Sequence, residues 1–259
     1  MGQVSGGEGK LFVSAYKHLY ALSSITGERL WQQDFSDRDS LNPPAYKDGK
    51  VYGQTGGHSD SFLWCFDAET QQLIFQSAYA NQWDLHLAPT IVGDSAYIAG
   101  GAQGGTYSFD ANSGAENWFH GIGYARHFTP AGTATYSIAY GDGGLHVIDR
   151  SDGQDVYLIP DPDESGSSQY SAPVVGSNNN VLLIYGGRLV SYDLTNAYIS
   201  WAIDEDFFGQ VSIANGVIYC RNHEDLEARD ELTGELLWTW SSANGDIVGE
   251  FLVTNNMIF

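Results

Sequence analysis

One segment of the sequence begins like a calcium-binding loop. Asp161, Asp163 and Ser165 alternate along the chain, and carboxylate and hydroxyl oxygens are ligands that Ca²⁺ prefers. The twelfth position of such a loop is Ala172, where a bidentate Glu would complete the coordination. Calcium is therefore a candidate cofactor with these three residues as its ligands, and the sequence predicts no other metal.

A second group of candidate residues combines histidines with aromatic side chains and one arginine. Histidine changes its charge near neutral pH, so it can move protons or recognise a carboxylate. Aromatic side chains near polar groups are typical of recognition surfaces. The residues that we assign to a ligand- or partner-binding face are His58, Trp83, His86, Tyr124, Arg126, His127, Tyr170, Phe207, Phe208 and His223.

The two cysteines do not form a reactive or metal-binding motif. Cys65 and Cys220 are far apart and lack the CxxC spacing, which excludes zinc-ribbon and redox-motif sites. Each lies in an apolar alternating segment, so the sequence predicts two free thiols packed as small core residues.

An eleven-residue pattern that occurs six times must position these candidates. Each copy has an acidic or polar residue and, eight positions later, an aromatic one, while the spacing between copies varies between 37 and 44 residues. A fixed offset within a variable period is typical of one supersecondary unit with loops of differing length. The pairs are Ser23/Trp31, Asp67/Phe75, Asp110/Trp118, Asp149/Tyr157, Asp193/Trp201 and Asp230/Trp238.

Each repeat reads as four antiparallel strands, A to D. The segment before each acidic position alternates between small and large residues, and period two predicts a strand. Earlier in the repeat, turns such as Asp48-Gly49 and Asn215-Gly216 favour two-residue hairpins, because both central positions need positive φ. Proline stands at the head of the first strand in several copies, as Pro44 does, which suits an edge strand.

Four-stranded repeats of this length predict an all-β fold, a β-propeller with six blades visible and the start of a seventh at residues 249–259. In such blades the D-to-A and B-to-C loops emerge on one side, and most of the candidate binding residues fall in those loops. Some of the aromatic residues could instead cover the inner ends of the blades, and this alternative stays open.

The string Ala-x-Asp-x-x-Thr-Gly-x-x-x-Trp, complete at Ala228 and with Ser23 for Asp at Ala21, resembles the tryptophan-docking motif of the pyrroloquinoline-quinone-like repeat family. Gln71 and Ala197 stand where the motif has Gly. In that family the aromatic ring packs on the neighbouring blade. The resemblance therefore implies structural docking roles for Trp31, Phe75, Trp118, Tyr157, Trp201 and Trp238.

The resemblance covers essentially the whole chain and implies two kinds of function. Quinone-binding members carry adjacent cysteines over the cofactor and a calcium held by Glu and Asn, and this sequence has neither string. We therefore expect no pyrroloquinoline quinone and favour a non-catalytic binding or scaffold propeller. The alternative is an enzyme using the same face, either a divergent quinoprotein dehydrogenase or a polysaccharide-active propeller.

Composition limits the partners. The net charge of −21 disfavours nucleic acid and anionic membranes, and no run of eighteen apolar residues suggests membrane insertion. A protein or carbohydrate partner and an extracytoplasmic location, either periplasmic, secreted or cell-surface, fit the resemblance. With no linker or composition shift, residues 1–259 are expected to form one domain, either a fragment of a seven- or eight-bladed parent or a closed six-bladed ring.

Overall fold

The structure is a computed structural model that describes most of the chain. The described residues are 4–56, 61–80, 87–101, 104–123, 128–163, 171–242, 253–254 and 257–258. They form strands and tight turns. Within them, no helical segment has the length and apolar character needed to span a membrane.

The first three sheets, called blades one to three, follow one another along the chain. The strands of blade one are β1 (Ser5–Gly7), β2 (Lys10–Ala15), β3 (His18–Ser23) and β4 (Arg29–Asp34). Those of blade two are β5 (Ser40–Leu41), β6 (Ala45–Lys47), β7 (Lys50–Gly56), β8 (Phe62–Asp67) and β9 (Leu73–Ala78). Those of blade three are β10 (Thr90–Val92), β11 (Ser95–Ala99), β12 (Thr106–Asp110) and β13 (Glu116–His120).

Blades four to six and one short hairpin complete the order. The strands of blade four are β14 (Ala131–Gly132), β15 (Tyr136–Gly141), β16 (Gly144–Asp149) and β17 (Asp155–Pro160). Those of blade five are β18 (Val174–Val175), β19 (Asn180–Tyr185), β20 (Arg188–Asp193) and β21 (Tyr198–Asp204). Those of blade six are β22 (Phe207–Ala214), β23 (Val217–Asn222), β24 (Asp225–Asp230) and β25 (Leu236–Ser241), followed by β26 (Val253–Thr254) and β27 (Met257–Ile258).

The prediction of antiparallel, four-stranded blades is confirmed, since each sheet orders its strands as the chain does. Blade two differs in one detail. Its first strand is split into β5 and β6, which both pair with β7. Pro43 and Pro44 lie between the two pieces, and proline has no N–H to continue the ladder. The start of a seventh repeat is present as the pair β26 and β27.

The chain divides into two compact units. Unit one comprises Met1–Asp142 and Ile148–Gln154, and unit two comprises Gly143–Val147 and Asp155–Phe259. Blades one to three lie in unit one, and blades five and six lie in unit two.

The turn between strands C and D has the same construction in each blade. Its fifth residue has a left-handed backbone at Gly27, Gly114, Gly153 and Gly234, with φ between 72° and 74°. Gln71 and Ala197 adopt this conformation too, at 64° and 56°, which is uncommon without glycine. The turn thus keeps one geometry where the motif is degenerate.

The acidic residue of each turn caps the backbone. Asp230 accepts bonds from the backbone N–H of Thr233 at 2.9 Å and from its hydroxyl at 3.0 Å, and these bonds lower the pKa of Asp230. Donors from the turn lower the pKa in the same way at Asp67, Asp110, Asp149 and Asp193. At the equivalent position of blade one, the Ser23 hydroxyl oxygen accepts a hydrogen bond from the backbone N–H of Thr26 at 3.1 Å.

These caps predict a loss of stability in acid. A carboxylate with a lowered pKa in the folded state stabilises the protein above its unfolded pKa of about 3.9, and this contribution is lost as the pH falls through the folded pKa. Asp230→Asn keeps an acceptor oxygen that cannot be protonated. Measured by urea unfolding, the free energy of unfolding of this variant should be lower than that of the wild type at neutral pH. This deficit should shrink below about pH 4. Asp48→Asn, outside these turns, is the control, and an unchanged deficit would contradict the capping role.

Strand C of each blade has one small position. The docking residue lies directly opposite it, as in the pairs Ala21 with Trp31 and Ser108 with Trp118, and a β-bulge follows in each blade for which this pairing is described. In the first of these interfaces, Trp31 and Phe12 of blade one pack with Phe66 of blade two. The docking ring of blade one therefore packs with large apolar side chains of its own blade and of the next.

Three docking residues donate a hydrogen bond to the equivalent backbone carbonyl of the next blade. Trp31 Nε1 donates to the carbonyl of Ala68 at 3.0 Å, which is the residue after the capping Asp of the next blade. Trp118 Nε1 donates to the carbonyl of Arg150 at 2.9 Å, and the Tyr157 hydroxyl donates to that of Leu194 at 2.6 Å. Phe75 has no donor, and the hydroxyl of Tyr52 in the same blade donates to Ala111 at 2.9 Å instead.

Two docking residues depart from this scheme. Trp201 packs on Gly234, with a ring atom 3.0 Å from where a Cβ would stand, yet its indole N–H has no partner among the described residues. Trp238 is 41% exposed. No described blade covers its ring, and its docking role stays a prediction.

The thiol prediction is confirmed. Cys65 and Cys220 are free and fully buried. Burial raises the pKa of each thiol to about 12, so both remain protonated at neutral pH and are poor nucleophiles.

Candidate partner-binding face

The loops between strands D and A lie beside the loops between strands B and C within the blades. A residue one to three positions after strand D donates its backbone N–H to a carbonyl of the B-to-C loop, and the same bond recurs along the chain. The pairs are Phe35 to Lys17 at 2.9 Å, Tyr79 to Ser61 at 3.1 Å, Asp161 to Gly143 at 3.0 Å and Phe207 to Gly187 at 3.0 Å. Side chains from both loop types therefore share one end of a blade, which we call the loop face.

Seven of the ten residues assigned to the binding face lie outside the described residues. They are His58, Trp83, His86, Tyr124, Arg126, His127 and Tyr170. The other three, Phe207, Phe208 and His223, belong to blade six, so the described part of the site is the loop face of that blade.

Phe207 and Phe208 begin strand β22 and do not lie in the preceding loop. Phe207 is fully buried and packs in the core of unit two, with the Arg229 guanidinium 5.2 Å from its ring centre. Its predicted place on the recognition surface is wrong, because the alternation of the strand turns it inward. Phe208 is half-buried, and the Arg221 guanidinium lies 3.8 Å from its ring centre, a cation–π contact.

His223 lies at the surface of the loop face beside Asp206. Its Nδ1 is 3.2 Å from the Asp206 carboxylate, and the two side chains are 75% and 64% exposed. The backbone N–H of His223 donates to the Asp206 carbonyl at 3.1 Å, so the two loops are tied together beneath the side chains. This pair is accessible to a partner.

A charged network that sequence reasoning missed supports this pair from below. Arg229 Nε donates to Glu227 at 2.7 Å, and both side chains are almost fully buried. Arg229 also bonds Glu205 at 3.3 Å, and Asn222 bonds both glutamates. Glu205 lies next to Asp206, so the network holds the D-to-A loop in place. The sequence signal that could have revealed this network is the charged pair Glu227 and Arg229, two residues apart on strand β24.

The loop face of blade six carries unbalanced negative charge. Residues 143–147 and 155–259 contain three arginines and no lysine. Arg188 pairs with Asp161, Arg229 pairs with Glu205 and Glu227, and Arg221 lies on Phe208. With these cations engaged inside unit two, exposed carboxylates such as Asp206 favour positively charged groups on a partner.

The calcium expectation is not supported by the geometry. The Asp161 carboxylate is fully buried and accepts bonds from Arg188 at 3.2 Å and from the Tyr192 hydroxyl at 2.9 Å. Arg188 also lies 3.4 Å from Asp163, and Ser165 is outside the described residues. Burial opposes the charged guanidinium, but Asp161 outweighs it and raises the pKa of Arg188. The two carboxylates thus bind a fixed cation where Ca²⁺ was expected.

A polar cleft in unit one is lined by charged side chains that already hydrogen-bond within the protein. It has a volume of about 440 Å³ and is lined by Asp94, Asp110 and Arg150 among others. The Arg150 guanidinium donates to Tyr97 at 2.7 Å, to three backbone carbonyls and to two further side chains. Asp110 caps its own turn. The cleft is therefore a structural joint between blades three and four.

The sequence of this chain is similar to sequences of known proteins. A family model described as outer membrane protein assembly factor BamB matches residues 1–83. Over 271 aligned residues, 95% of this chain, the chain is 22% identical to outer membrane protein assembly factor BamB of Shewanella oneidensis, spanning 67% of that protein.

Solved structures show the same fold at low sequence identity. BamB from Moraxella catarrhalis has a TM-score of 0.73 and 19% identity, with 92% of this chain and 72% of that one covered. A europium-containing methanol dehydrogenase has a TM-score of 0.65 and 14% identity, with coverage of 94% and 69%. The fold is therefore a β-propeller of four-stranded antiparallel blades. In sequence repeats and architecture, the chain resembles the pyrroloquinoline-quinone-like repeat propellers, and their non-enzymatic scaffold members more than the quinoprotein dehydrogenases.

Proposed function

We propose that this chain is a non-catalytic scaffold propeller that binds protein partners outside the cytoplasm, in the assembly of outer-membrane proteins. The observation that carries the proposal is the likeness to an outer membrane protein assembly factor along 95% of the chain. The extracytoplasmic location expected from the sequence agrees with this likeness. The loop face of blade six, with Asp206 and His223 exposed above a fixed network, is the proposed contact surface.

Charge supports a protein partner with basic groups over a carbohydrate partner. The net charge of −21 repels acidic polymers, and the described cations of unit two are engaged in pairs and ring contacts. The Arg221 guanidinium lies on the half-buried ring of Phe208, so this cation is engaged within blade six.

Complementation tests this function. The chain, exported by a fused signal peptide, is expressed in Shewanella oneidensis lacking BamB, and the folded outer-membrane proteins are measured. We expect partial recovery, which the double charge reversal of Asp204 and Asp206 to lysine abolishes. Glu235→Lys, exposed at the opposite end of the blade, is the matched control. No recovery at wild-type export levels would contradict the proposal.

The enzyme alternative predicts a different result. Quinone-binding relatives use adjacent cysteines, whereas Cys65 and Cys220 are buried in different blades. We expect no tight binding of pyrroloquinoline quinone in the presence of Ca²⁺ and no dye reduction with alcohols or sugars. Saturable quinone binding with turnover would replace the scaffold proposal by the enzyme one.

A further inference from the structure

The turn between strands A and B of blade six is a two-residue hairpin turn. Ala214 pairs with Val217, and Asn215 and Gly216 lie between them with φ of 54° and 74°. Positive φ at both central positions is typical of the type I′ turn, which favours Asn-Gly. Asn215 is exposed, and no described atom lies within 4 Å of where a Cβ of Gly216 would stand. Solvent therefore reaches the asparagine side chain and the glycine that follows it.

This exposure is a property of the turn and does not depend on blade six being the last complete blade. The same turn of blade two, which has a blade on either side, contains Asp48 and Gly49 at φ of 47° and 74°. Asp48 is exposed too, and no described atom lies within 4 Å of where a Cβ of Gly49 would stand. An A-to-B turn is therefore open to solvent in an interior blade as well.

A second asparagine provides an internal comparison. Asn179, in the A-to-B turn of blade five, is exposed and has the same φ of 54°. Its Nδ2 donates to the Thr195 hydroxyl at 2.8 Å, and the next residue, Asn180, is 6% exposed. No described residue hydrogen-bonds the side chain of Asn215. The two asparagines thus share a backbone conformation and differ in the freedom of the amide and in the residue that follows.

We infer that Asn215 is a site of spontaneous deamidation. The backbone nitrogen of Gly216 attacks Cγ of Asn215, a bond forms between these two atoms, and the Cγ–Nδ2 bond breaks with release of ammonia. The Gly216 N–H loses its proton and Nδ2 gains one, so the step needs no oxidant or reductant. Water then opens the cyclic succinimide at either carbonyl and leaves aspartate or isoaspartate. Glycine favours ring closure because it has no Cβ beside the attacking nitrogen.

Deamidation changes the hairpin that joins strands β22 and β23. Both products add a negative charge to a chain with a net charge of −21. Isoaspartate also routes the backbone through the former side chain, which lengthens the turn between Ala214 and Val217. The Gly216 carbonyl accepts a bond from the backbone N–H of Glu231 at 3.0 Å, and the longer turn moves this carbonyl away. The isoaspartate form should therefore unfold at a lower urea concentration than the fresh protein.

Incubation of the folded protein at mildly alkaline pH, followed by peptide mapping with mass spectrometry, tests the inference. Trypsin cleavage at the arginines places Asn179, Asn215 and Asn244 in three separate peptides. Asn244, which also precedes a glycine, lies outside the described residues and is followed separately. We expect deamidation at Asn215 to be at least about tenfold faster than at Asn179, with isoaspartate among the products.

Two variants serve as controls. Asn215→Gln should abolish conversion at this position and leave Asn179 unchanged, because the longer side chain would have to close a larger ring. Asn215→Asp adds the charge without lengthening the turn, so its urea midpoint should stay at that of the fresh protein. Conversion at Asn215 no faster than at Asn179 would overturn the inference. Aspartate as the sole product would overturn it as well, because direct hydrolysis of the amide gives no isoaspartate.

Discussion

Replacing Trp118 by alanine is expected to lower the free energy of unfolding by about 3–5 kcal/mol, the range for large buried aromatic side chains. The ring is 7% exposed, packs on Gly153, and its N–H bonds the Arg150 carbonyl at 2.9 Å. Truncation would leave a cavity between two blades and an unsatisfied carbonyl. Urea unfolding, followed by circular dichroism, measures the change.

Trp238→Ala is the matched control for this variant. Its ring follows the same motif but is 41% exposed, so its removal should cost no more than about 1 kcal/mol under conditions where the chain is monomeric. The reverse order of the two costs would contradict the assignment of strand D and of the docking interfaces.

Replacing Arg150 by methionine should cost about 2–4 kcal/mol, because buried acceptors that lose their donor each carry a penalty of about 1–3 kcal/mol. The guanidinium serves the Tyr97 hydroxyl and the carbonyls of Val92, Thr133 and Ala134, and the side chain is 15% exposed. It thereby joins strands of blade three to those of blade four within unit one.

Two further substitutions make the Arg150 test specific. Arg150→Lys keeps the charge but not the fork of five donors, so it should recover only a minor part of the lost stability. Arg29→Met removes an exposed arginine from strand β4 and should change the free energy of unfolding by less than about 0.5 kcal/mol. A cost for Arg150→Met as small as that for Arg29→Met would contradict its role as a joint.

The blades were predictable because their signals are local. The cap at Asp230 and the left-handed Gly234 lie within one turn, so the motif contains both. The left-handed Gln71 and Ala197 were not predictable, because the blade imposes this backbone against their own preference. The carbonyl that receives the indole of Trp118 lies in another blade, 32 residues away, and no local pattern reveals it.

The candidate site was harder to predict than the fold. Phe207 follows three acidic residues, which suggested an exposed loop, yet it is the first residue of a strand and faces the core. Asp161 and Asp163 have the spacing of metal ligands, and only the fold brings Arg188 to them. Sequence spacing identifies which residues could bind a group, whereas long-range packing decides which group they bind.

The chain-ordered sheets have a consequence for how the protein folds. Because neighbouring strands in a blade also follow one another along the chain, pairing them closes only short loops and costs little chain entropy. Contacts of this kind form quickly, so each blade can assemble as a local event. Docking between blades then follows as a later step. Loss of a docking ring such as Trp118 would accordingly speed unfolding more than it slows folding.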